Sequence, residues 1–157
     1  MEPVQDHPAT HRLNAMAEWA GYLGAAPLVL CLAGLGLLPD YAQRDLAQRI
    51  ALAWGAVLLA FTGAVHWGLT LAGRLPWAAA RSAALVPALV GCAAVVVGGQ
   101  KGFALLVVGF GGWWLYEHRA MGALLPLAYL NLRRHLTLAI CVVLALSMIA
   151  SDAAGLR

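Results

Sequence analysis

Long apolar runs, separated only by short polar breaks, constrain this chain more than any motif in it. They cover about residues 19–38, 50–71, 77–97, 102–118 and 135–150. A helix needs roughly 20 apolar residues to cross about 30 Å of hydrocarbon. The first three runs have that length. The last two are short unless the fourth takes in Glu117 and His118 and the fifth gains from LLPLAYLNLRR before it, a stretch apolar enough to lie in the interface or lengthen the helix. Alternating ten-residue segments, the mark of an outer-membrane barrel, are missing. The runs predict an all-α, polytopic membrane bundle of about five transmembrane helices. A polar tail over 1–17 precedes the membrane domain over 18–150, and a short tail over 151–157 follows it.

Composition excludes the water-soluble alternative. The chain is 62% hydrophobic and 11% charged, with a mean hydropathy of +0.79. Soluble domains carry about 25% charged residues. A soluble fold of this size buries only about 70% of the surface its chain exposes, too little to hide so much apolar area. The formal charge of +3 is scattered between the runs, where it reads as topology and headgroup anchors rather than a nucleic-acid surface. Lys101 is the sole lysine, while Ala, Arg, Gly and Leu abound, a bias that fits a bacterium with a GC-rich genome. The opening MEPVQDHPATHRLNAMAEW has no basic stretch leading into an apolar one and is too acidic for a transit peptide, so no cleaved signal is expected.

Breaks between runs carry stop signals. Pro39-Asp40 ends the first and leads into PDYAQRDLAQR, read as a loop, and Gly98-Gly99-Gln100-Lys101 ends the third. Pro27 and Pro87 fall inside runs one and three, where kinks are expected. Small residues supply seams for close helix packing: Gly21 with Ala25, Gly55 and Gly63, Gly68, and Gly109-Phe110-Gly111-Gly112. Arg12, Arg74, Arg81, Arg119, Arg133 and Arg134 fall on one side of five spans, and Arg44, Arg49, Lys101 and Arg157 on the other. The larger set points to the cytoplasm, which places the N-terminus inside and the C-terminus in the periplasm of a bacterial inner membrane.

The stretch GAVHWG puts His66 inside the second run. Six residues from the centre of that run, it lies roughly 9 Å from the midplane, still within the hydrocarbon. Thr62, His66 and Thr70 repeat at every fourth position, a narrow polar stripe on an otherwise apolar helix. Other polar groups gather at the same end: Glu18, Arg81, Glu117, His118, Arg133, Arg134, His135 and Thr137. Ionisable residues within spans face the bundle interior, pair, and mark a functional site by default. The candidate pocket therefore comprises Thr62, His66, Trp67, Thr70, Arg81, Glu117, His118, Arg133 and Arg134. His66 has three open roles: a hydrogen bond to a neighbouring helix, ligand or proton handling near neutral pH, or ligation of haem or a metal. Glu117 is expected to pair with Arg133 or Arg134 and lock runs four and five. Arg81 has a simpler reading, snorkelling to the headgroups. Trp19, Trp77, Trp113, Trp114 and Tyr116 read as an interfacial aromatic belt.

Catalytic signatures are missing from the sequence. It contains no Gly-x-Ser-x-Gly, no phosphate-binding glycine loop with lysine, no His-Glu-x-x-His and no paired carboxylates within a run. Cys31, Cys92 and Cys141 lie in apolar runs without a Cys-x-x-Cys pairing and read as small apolar side chains. No catalytic residue, metal or cofactor is expected.

Several pieces together carry a family likeness. They are Gly21-Tyr22-Leu23-Gly24 with Pro27, Trp54-Gly55 through Phe61 to GAVHWG, and Leu130-Asn131-Leu132-Arg133 before Leu136-Thr137. Over roughly residues 18–150 the chain resembles the transmembrane-protein-69-like family, small multi-pass proteins with a domain of unknown function. The resemblance implies an inner-membrane location for bacterial members and a mitochondrial one for eukaryotic relatives. Its pattern allows Arg where His66 stands, which implies a hydrogen-bond donor or cation there rather than an obligatory haem or zinc ligand. The length and span number are also similar to the porphyrin-binding tryptophan-rich sensory proteins, but PDYAQRDLAQR lacks their Trp- and Pro-rich first loop. The sequence thus points to a non-enzymatic membrane protein whose polar pocket supports assembly with a membrane-protein partner or further copies, or binds a lipid-like or small ligand. A small transporter or proton-coupled permease subunit using His66 and Glu117 is the alternative, and a redox, quinone- or haem-associated protein the third.

Overall fold

A computed structural model describes residues 15–73, 85–122 and 127–156. Five helices account for nearly all of them, with no strand among the described residues. They are α1 (Ala15–Leu37), α2 (Tyr41–Leu71), α3 (Val86–Val97), α4 (Gly99–Met121) and α5 (Leu127–Ala153). Trp19–Leu37, Tyr41–Leu71 and Leu127–Ala153 are long and apolar enough to cross a membrane, and α3 is a shorter apolar helix. The helices form a ring in chain order, with α5 closing on α1. Helix α2 also reaches across the ring to α4 and α5.

The packing runs outward from a core of Leu28, Leu59, Phe103, Leu106, Phe110 and Leu144, all buried. Large apolar side chains also cover the exterior, including Leu30, Val96, Val108, Leu138 and Ile149. An apolar outside is what a lipid solvent tolerates and water does not. Lipid gives no hydrophobic drive between helices, so close backbone approach must supply the contact. A Cβ on Gly55 would lie 2.7 Å from Leu106, and one on Gly91 would lie 3.0 Å from the Ala56 carbonyl oxygen. On the outer side, the Trp54 indole N–H donates to the Gly24 carbonyl at 2.9 Å and ties α2 to α1.

Several expected boundaries move. PDYAQRDLAQR is not a loop, because helix α2 begins at Tyr41 directly after Asp40. Arg44 Nε donates to the Leu38 carbonyl at 2.6 Å, and Arg49 pairs with Asp45 one turn away at 2.8 Å. These contacts let a polar segment hold helical form where apolar periodicity is weak. The expected break at Gly98-Gly99-Gln100-Lys101 shrinks to Gly98, whose φ of 66° is open mainly to glycine. Helices α3 and α4 therefore make a hairpin with a one-residue link. Pro87 lies in the first turn of α3, a position where no helical hydrogen bond is lost. LLPLAYLNLRR lengthens α5 from Leu127 onward, so the fifth run is not short. Gly68, Gly111 and Gly112 would each accept a Cβ with nothing within 4 Å, so they are not seam positions. Trp77 and Arg81 lie outside the described residues, as does the side chain of Glu18.

Candidate functional site

The polar stripe on α2 satisfies much of itself. Thr62 Oγ1 donates to the Leu59 carbonyl at 2.6 Å, and Thr70 Oγ1 to the His66 carbonyl at 2.8 Å. His66 Nδ1 lies 3.3 Å from the Thr62 carbonyl. Hydroxyls that bond back onto their own helix need no partner helix. Only the far edge of the His66 ring is left facing outward from α2 into the bundle.

That edge meets α4. His66 Nε2 stands 3.6 Å from Glu117 Oε1, and both side chains are only 1% exposed. Trp113, one turn before Glu117, sets its ring edge-on to His66 at 5.2 Å and 83°, and stacks on Tyr116 at 5.2 Å. Helix α5 completes the cluster. Tyr129 Oη donates to Glu117 Oε1 at 3.0 Å, and Arg133 Nε donates to Oε2 at 3.0 Å. Tyr129 and Arg133 are four residues apart and so share a helix face. A buried carboxylate is costly unless its charge is paired and its lone pairs are filled. Two donors from α5 do that for Glu117 and join α4 to α5, while His66 brings in α2.

A groove opens beside this cluster, between α1, α2 and α5. It encloses about 230 Å³. Gly21, Gly24, Leu58 and Leu136 make its apolar walls, and Tyr129 and Arg133 contribute the polar end. Gly21 and Gly24 matter here because they present no side chain, which leaves the space between α1 and its neighbours open.

The nine residues expected at the site separate into three groups. Thr62, His66, Thr70, Glu117 and Arg133 come together, all buried except half-buried Arg133. Trp67, His118 and Arg134 are exposed; His118 stacks on Trp114 at 5.7 Å instead. Arg81 falls outside the described residues. Glu117 pairs with Arg133 and not with Arg134. Two further residues join them. Tyr129 comes from the segment expected at the interface, and its spacing of four from Arg133 is the sequence signal for it. Trp113, expected in the aromatic belt, is 6% exposed, unlike Trp19 at 69%. Its spacing of four from Glu117 put it on the same face as the carboxylate. Among the described residues no three His, Cys, Asp or Glu side chains gather as metal ligands would.

No curated protein and no solved structure matches the chain. A family model does: residues 13–149 match the one described as protein of unknown function (DUF3429). That match takes in every element of the site, from α1 through Arg133, and the chain belongs to this family.

Proposed function

We propose that this is a non-enzymatic, multi-pass inner-membrane protein that binds an anionic, lipid-like amphiphile in the groove between α1, α2 and α5. The supporting observation is the groove's polarity: small and apolar walls end at Tyr129 and Arg133. Arg133 uses Nε for Glu117, which leaves its terminal nitrogens for a second acceptor, and guanidinium suits carboxylate and phosphate groups. Exposed Arg134 and His135 follow directly. Arg133 lies about 9 Å along α5 from its start, near the depth of a headgroup. The charge asymmetry of the loops favours the cytoplasmic leaflet. GAVHWG supports a place among the transmembrane-protein-69-like members of the family.

Photo-crosslinking tests this reading. In nanodiscs containing a diazirine-bearing phosphatidylglycerol, label is expected to concentrate on α1 around Gly21–Gly24 and on α5 near Leu136. Gly24→Leu, which fills the groove, should lower that labelling several-fold. Label spread evenly over the exterior, or unchanged in the filled variant, would rule the groove out as a binding site.

A second reading draws on the contact between His66 and Glu117: a small proton-coupled permease subunit that moves protons through this pair. It requires water to reach His66. In a background with Cys31, Cys92 and Cys141 replaced by alanine, His66→Cys would then react with membrane-impermeant thiol reagents from one side. The lipid-binding reading expects protection at this 1% exposed position.

A further inference from the structure

A ring nitrogen and a carboxylate oxygen face each other at the centre of the site. A neutral His66 ring has one bare nitrogen: either Nδ1, which then meets the Thr62 carbonyl, itself only an acceptor, at 3.3 Å, or Nε2. Nε2 faces Glu117 Oε1 at 3.6 Å, and that oxygen already accepts from Tyr129. Nε2 is buried and has no hydrogen-bond partner. A bare nitrogen against either oxygen, away from water, is repulsive and leaves a polar atom unsatisfied, an expensive arrangement in a low-dielectric interior. One added proton removes both faults.

We propose that His66 and Glu117 form a buried binding site for a single exchangeable proton, occupied in the resting protein and carried on His66 Nε2. Glu117 stays a carboxylate because Tyr129 and Arg133 both donate to it, so the proton falls to the imidazole. Among the described side chains, α4 brings Glu117 to the ring, with exposed His118 and Arg119 following it, and α5 brings Arg133 and Tyr129, with exposed Arg134 and His135 following them. The described side chains of α1 and α3 bring no charge, and the charges on α2 itself (Arg44, Asp45 and Arg49) are at its opposite end. With the proton bound, imidazolium, carboxylate and guanidinium sum to one net positive charge beside the groove. The site stands without the groove's ligand, since it follows from contacts within the protein alone.

Nitrogen-15 NMR of labelled histidine tests it on the full chain in bilayers. Replacing His7, His11, His118 and His135 by glutamine leaves His66 as the sole histidine of the five. At neutral pH both ring nitrogens of His66 are expected to carry hydrogen. In Glu117→Gln the ring should revert to the neutral form, bare at one nitrogen. A wild-type ring that is already neutral, bare at either nitrogen, overturns the proposal, as does a doubly protonated ring that Glu117→Gln leaves unchanged. Should Glu117→Gln fail to fold, the first of these spectra still decides.

Discussion

Glu117→Ala lowers the free energy of unfolding by about 3–5 kcal/mol, the cost of leaving buried partners without their counter-charge. The side chain is 1% exposed and takes bonds from Tyr129 and Arg133 at 3.0 Å each. Its loss strands both donors and the His66 edge together. Equilibrium unfolding in mixed micelles reads this directly. Arg134→Ala, one position along from the true partner and exposed, should stay within about 0.5 kcal/mol. The double variant Glu117→Leu with Arg133→Met removes both charges and should recover much of the loss, since apolar replacements of a buried pair are often near neutral. A cycle with no coupling between the two positions would mean that the pair does not hold α4 to α5.

Gly102→Ala costs about 1–3 kcal/mol, from overpacking against a neighbour that cannot yield. A Cβ there would stand 2.5 Å from the Ala94 carbonyl oxygen and 3.0 Å from Leu52. The oxygen is backbone, so relief requires α3 to move off α4, against a link of one residue. Gly112→Ala, in the same helix, meets nothing within 4 Å. It should stabilise by about 0.5–1 kcal/mol through the helical preference of alanine. The same substitution in one helix thus carries opposite signs at two positions. Thermal midpoints of the two variants on the same side of the wild type would overturn the one-residue hairpin as the reason for Gly102.

The all-helical class was legible because apolar runs of spanning length leave few alternatives. Helix ends were less so. Tyr41–Arg49 is polar, and its helical form rests on Arg44, Asp45 and Arg49 acting locally rather than on an apolar stripe. Much of the polar cluster was legible from spacing: Thr62, His66 and Thr70 recur every fourth residue, and Glu117 and Arg133 lie at the same end. Which neighbours to leave out was not. Adjacent helical residues project about 100° apart, so Trp67 beside His66, His118 beside Glu117 and Arg134 beside Arg133 all face elsewhere. Runs of polar residues at a span end blur that rotation. Tyr129 and Trp113 show the converse: read by their neighbourhood they looked interfacial, and read by their spacing of four from Arg133 and Glu117 they belong inside.

Helix α2 has 31 residues, about 46 Å of helix, far more than a hydrocarbon layer of about 30 Å takes up. Its polar opening from Tyr41 to Arg49, with the Asp45–Arg49 pair, works as a collar that resists entering lipid. The remaining 22 residues, 50–71, measure about 33 Å, which needs only a modest tilt, well inside the usual range of about 0–40°. In a bilayer, the collar would hold one end of α2 at the surface. A thicker membrane is met by the bundle standing more upright, a thinner one by leaning over, and His66 keeps its depth below the opposite surface only where the match is close.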